Sequence, residues 1–109
     1  MAAIAKLTDL IGLTVVDIDL PDGDFSAGIR FENEAAIGIH NDYETRGFSR
    51  SSAQELVGRS IKAVSEDSAH ISITFDNDWR IEIDMSDEGY SGPEAVELHV
   101  PRKFPTIWN

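Results

Sequence analysis

The groups in this chain that could carry chemistry are three histidines and an excess of carboxylates. His40, Asp42 and Glu44 alternate, so an extended backbone projects them to one side, and imidazole with carboxylates at that spacing could hold a divalent ion. Glu97 and His99 alternate in the same way, as do Glu82 and Asp84. If those strands are neighbours, one sheet face collects carboxylate and imidazole groups that could work as an acid/base pair. The plainer reading is that each set is the hydrated side of a half-buried strand. A small enzyme, or a ligand- or metal-binding domain with its site near His40, Asp84 and His99, is therefore held as an alternative.

Other chemistries lack their residues. Cysteine is absent, which removes disulfides, thiolate metal sites and a cysteine nucleophile. Serines crowd at Ser49, Ser51 and Ser52, but there is no G-x-S-x-G elbow and no Gly-rich phosphate loop. No cofactor is expected. The first twelve residues are too short and too polar for a signal peptide or a membrane span, so a cytoplasmic protein is expected.

Charge is the stronger signal. Twenty acids against nine bases give a net charge of -11, which argues against nucleic acid or an anionic membrane as a partner. Between Ile81 and Pro101 stand Glu82, Asp84, Asp87, Glu88, Glu94 and Glu97 with no Lys or Arg, and Asp17 to Asp24 add four aspartates. Arg46, Arg50, Arg59 and Lys62 gather elsewhere. Such a field steers a basic protein, and Asp84, Asp87, Glu88, Glu94 and Glu97 are the expected binding residues.

The elements that must position these groups come from a self-comparison. Leu10-Ile11-Gly12-Leu13-Thr14-Val15 returns as Leu56-Val57-Gly58-Arg59-Ser60-Ile61, and Phe31-Glu32-Asn33-Glu34 returns as Phe75-Asp76-Asn77-Asp78. Before each glycine the spacing predicts a short helix, Ala2 to Leu10 and a second opened by a capping box from Ser52 to Glu55. After each glycine the period becomes two, with Ala27, Ile29 and Phe31 matched by Ile71, Ile73 and Phe75. The strands that follow keep the same parity only if a three-residue loop joins them, which pairs Ile29 with Ile37 and Ile73 with Ile81. His40 to Arg50 reads as a linker, and Phe104, Ile107 and Trp108 as a tail that packs onto the sheet or onto a second copy in a homodimer.

The expected fold is one α+β domain over 1–109, mainly antiparallel sheet of about seven strands with two short helices. It is read as two similar αβββ halves, 1–41 and 50–87, closed by a strand and tail over 88–109.

The pattern L-x-G-x-[TS]-[VI], then F-[DE]-N-[DE]-x-x-I-x-I, then Gly92-Pro93-Glu94-Ala95-Val96-Glu97-Leu98 and the closing Ile107-Trp108-Asn109, resembles small bacterial domains of unknown function. Some of these are similar to immunity proteins of toxin–immunity pairs. The resemblance implies a stoichiometric binder that occludes a basic toxin and transfers no catalytic residue. The function expected from the sequence is accordingly a non-enzymatic acidic binding protein, with the enzyme or ligand site and a self-associating structural module as alternatives.

Overall fold

The structure, a computed structural model, describes residues 3–21, 26–86 and 95–108. The segments expected as helices wind more tightly than an α-helix. Both η1 (Leu7–Leu10) and η2 (Arg50–Leu56) are 3-10 turns. Each has a buried pair three residues apart, Leu7 with Leu10 and Ala53 with Leu56, and three residues per turn stack such a pair on one line facing the core. Ser49, not Ser52, is the residue before η2, and no capping box forms from Ser52 to Glu55 because the Ser52 amide donates to the Ser49 carbonyl.

The remainder is antiparallel sheet: β1 (Val15–Asp19), β2 (Ala27–Phe31), β3 (Ala36–Ile39), β4 (Tyr43–Arg46), β5 (Ile61–Glu66), β6 (His70–Phe75), β7 (Arg80–Asp84), β8 (Val96–His99) and β9 (Thr106–Trp108). They form one sheet ordered β1-β2-β3-β8-β9 and another ordered β4-β7-β6-β5. The expectation of an α+β domain with two helices and about seven strands is thus corrected to a β fold with, among the described residues, nine strands in two sheets. The two additional strands, β4 and β9, carry too little apolar alternation to read: β4 buries only Tyr43, and β9 is three residues long.

Loop parity sets the hairpins. Ile29 pairs with Ile37 and Ile73 with Ile81, across loops 32–34 and 76–78. Asn33 and Asn77 each accept from the amide two residues on, at 3.0 and 3.1 Å. The third loop residue takes the left-handed conformation usually given to glycine, Glu34 at φ 71° and Asp78 at φ 68°. Upstream, β1 and β5 are bulged at matching places, between Val15 and Asp17 and between Ile61 and Ala63. The inserted residue explains why Val15 and Ile18 are both buried although an uninterrupted strand would aim them to opposite faces.

The two sheets meet at the repeated glycines. Gly12 N–H donates to the Ile61 carbonyl and Gly58 N–H to the Val15 carbonyl, each at 2.8 Å, while Val15 N–H donates to Arg59 and Ile61 N–H to Leu13. These bonds are reciprocal, as an approximate two-fold axis requires. Both glycines sit near φ +90°, where a Cβ is disfavoured.

From this axis the chain exchanges strands. β4, which follows β3, leaves to pair with β7, and β8, which follows β7, returns to pair with β3. The registers match: Gly38 faces Glu97 as Glu82 faces Glu44, and Ala36 faces His99 as Arg80 faces Arg46. Asn41, 4% exposed, holds the first crossing by donating from Nδ2 to the Asp84 carbonyl at 2.8 Å. Buried apolar residues from both sheets, among them Phe31, Ile37, Leu98, Phe75 and Ile81, belong to one core.

If the halves contribute equally to that core, Phe31→Ala and Phe75→Ala should each lower unfolding free energy in urea by about 3–5 kcal/mol. Gly12→Ala and Gly58→Ala should each cost about 1–2 kcal/mol through backbone strain alone. A phenylalanine whose removal is silent would exclude its half from the common core.

Candidate functional site

On the outer face of the first sheet, strand register lays one row across all five strands: Asp19, Gly28, Gly38, Glu97 and Ile107. The next row holds Asp17, Arg30, Ala36 and His99. Two glycines and an alanine make a low floor, and the longer side chains on either side make walls. The result is a groove of about 400 Å³ lined by Asp17, Asp19, Ser26, Arg30, Glu97 and His99 over that floor.

The wall on the β8 side is a hydrogen-bonded chain. Ser26 Oγ lies 2.7 Å from His40 Nδ1, and His40 Nε2 lies 2.9 Å from Glu97 Oε2. The other oxygen of Glu97 accepts from His99 Nε2 at 3.0 Å. Gly38 permits this arrangement: a Cβ there would stand 3.2 Å from Glu97 Cγ and 3.6 Å from His40 Nε2. Opposite, Arg30 pairs with Asp17 at 3.3 Å, and Asp19 has no ion-pair partner among the described residues.

Hydrogen bonding governs the ionisation of these acids. The bond from His99, followed by that from His40, holds the Glu97 carboxyl below its ordinary value of 4.5, against an opposing contribution from partial burial. Asp84 is also lowered, first by the Ser86 hydroxyl and then by the Ser86 amide. Neither carboxyl has the raised pKa that a general acid needs near neutral pH.

The corresponding face of the second sheet provides an internal comparison. Where the first has Ser26, Gly28, Gly38 and His40, the second has His70, Ser72, Glu82 and Asp84 at the equivalent hairpin positions. Glu44 and Arg46 stand for Glu97 and His99. Arg46 binds Glu44 at 2.6 Å and approaches Glu82 at 3.6 Å, and Arg80 binds Glu82 at 3.0 Å. On that face both glutamates have arginine partners, and there is no glycine floor. The fold therefore forms without the groove, and the groove is not a requirement of the fold.

The structure separates several residues grouped by sequence. His40 and His99 come together on Glu97, whereas Asp84 lies on the other sheet and binds Ser86 at 2.6 Å. His40 and His99 are thus joined through Glu97 and not through the Asp84 carboxylate. Asp42 and Glu44 line a separate depression with His70, Glu82 and Asp84. No group of three metal-ligating side chains able to hold an ion occurs among the described residues, and His40 and His99 engage opposite oxygens of one carboxylate. Asp87, Glu88 and Glu94 lie outside the described residues. At the C-terminal end, β9 joins the first sheet and Trp108 Nε1 donates to Glu66 at 2.7 Å, while Phe104 and Ile107 stay 60% and 45% exposed. No helix among the described residues is long and apolar enough to cross a membrane.

Ser26, Gly28 and Gly38 were missed as site residues, although extending the Ile29–Ile37 register by three positions brings Ser26 opposite His40. A carboxylate with a depressed pKa stabilises the fold above its unfolded value, and the contribution is lost as pH falls through the folded value. Unfolding in urea should therefore show Glu97→Gln less stable than the parent at neutral pH, with the gap closing below pH 4.5. A gap that is constant with pH would deny the linkage. Comparison of the chain with protein-family models, curated proteins and solved structures finds no match, so the groove is interpreted from its own geometry.

Proposed function

We propose that the protein is an acidic binding protein and that it receives a basic partner on the outer face of the first sheet. The observation that carries this reading is the asymmetry between two otherwise equivalent faces. On the second, arginines stand against glutamates. On the first, Asp17, Asp19 and Glu97 border an open groove with a single guanidinium between them. A net charge of -11 adds a long-range field that draws a cationic surface toward the molecule. Immunity toward a basic toxin is the form of this function that the sequence resemblance implies, with charge and shape complementarity doing the occluding.

Association with an arginine-rich peptide, followed by stopped-flow fluorescence, tests the reading. The association rate should fall steeply with added salt, since screening confines the field to about 8 Å at physiological ionic strength. Reversing Asp17, Asp19 and Glu97 to lysine should slow association by about 10-fold or more. The same reversal at Glu44 and Glu82 should do less, because those acids already have arginine partners. Equal effects on both faces would leave only the net charge, and no preferred site. For the immunity form, co-expression should rescue cells from a cognate basic toxin, and the triple reversal should abolish the rescue.

A further inference from the structure

The hydrogen-bonded wall of the groove has an order that partner binding does not need. Glu97, ionised, can only accept hydrogen bonds, so a neutral His40 must donate to it from Nε2. That fixes the tautomer. His40 Nδ1 then carries the lone pair and accepts the hydroxyl hydrogen of Ser26 across 2.7 Å. Nucleophile, base and orienting carboxylate follow one another within hydrogen-bond reach, with the two ring nitrogens in the reverse of their usual roles.

Three further features bear on reactivity. Ser26 is exposed and lines the groove of about 400 Å³, so a small substrate can reach its oxygen. Glu97 is held from its second oxygen by His99 and by its close fit over Gly38, which limits the freedom of the carboxylate that orients His40. The equivalent positions of the second half, His70, Asp84 and Glu44, form no such chain, since Asp84 binds Ser86 and Glu44 binds Arg46. The common backbone therefore does not impose the arrangement.

We propose that Ser26, His40 and Glu97 form a nucleophilic relay that hydrolyses small carboxylic esters by way of an acyl-serine. Ser26 Oγ bonds to the ester carbonyl carbon while its proton passes to His40 Nδ1. The bond to the alcohol oxygen breaks, and the proton leaves His40 with the departing alcohol. Water then adds to the acyl-serine with His40 again as base, releasing the carboxylic acid and restoring Ser26. No oxidant, metal or co-reactant other than water enters the balance. The activity goes beyond the binding of a basic partner and does not depend on it.

The test uses the full chain with p-nitrophenyl acetate, and separately with a fluorophosphonate followed by peptide mass spectrometry. The fluorophosphonate should modify Ser26 in preference to Ser49, Ser51 and Ser52. Release of p-nitrophenolate should fall by about 100-fold in both Ser26→Ala and His40→Gln, the range expected for loss of a nucleophile and its general base. Melting temperatures of both variants, read alongside, separate loss of chemistry from loss of fold, and Ser26→Ala alone suffices if His40→Gln unfolds. Labelling that ignores Ser26, or folded Ser26→Ala that releases p-nitrophenolate as fast as the parent by bare imidazole catalysis, would overturn the proposal.

Discussion

The reciprocal backbone bonds around Gly12 and Gly58 are the constraint on which the remaining structure depends. Each glycine donates across the axis to the first residue of a strand in the other half, and that strand bulges immediately afterwards. The left-handed backbone at the glycine turns the chain out of the 3-10 segment, and the bulge rotates the strand so that Val15 and Ile18, or Ile61 and Val64, can both lean toward the core. An added Cβ at either position works against the conformation that aligns both sheets.

Strand exchange follows from the same geometry and decides what the polar faces contain. Because β8 returns to the first sheet, Glu97 and His99 from late in the chain meet Ser26 and His40 from its first half. Because β4 crosses the other way, Glu44 and Arg46 meet Glu82 and Arg80. Each face joins strands from distant parts of the chain, and its polar side chains can change without altering the apolar residues that hold the opposite side. One carries a lattice in which arginines pair with glutamates. The other has become a groove with a glycine floor and an imidazole–carboxylate wall.

Much of the local structure was legible in the sequence. Period-two apolar spacing and the parity of a three-residue loop led directly to the Ile29–Ile37 and Ile73–Ile81 pairs. The crossing strands were not legible, since β4 finds its partner β7 nearly forty residues away and nothing local marks Tyr43-Glu44-Thr45-Arg46 as sheet. A helix was legible in Ala2 to Leu10 by spacing and after Ser52 by its capping-box pattern, but the residues each segment buries, Leu7 with Leu10 and Ala53 with Leu56, stand three apart, an interval that suits a 3-10 turn. The site was half visible. His40, Glu97 and His99 stood out by type, whereas Gly28 and Gly38 have no chemistry of their own and matter only where register aligns them beneath Glu97.

Native-state amide hydrogen exchange resolved by NMR tests the central claim, that one reciprocal axis carries both sheets. The amides of Gly12, Val15, Gly58 and Ile61 should exchange among the slowest in the protein, and the two members of each equivalent pair, Gly12 with Gly58 and Val15 with Ile61, should report similar opening free energies close to that of global unfolding. Fast exchange at one member of a pair while its equivalent stays protected would show that the halves open separately, and would contradict the account.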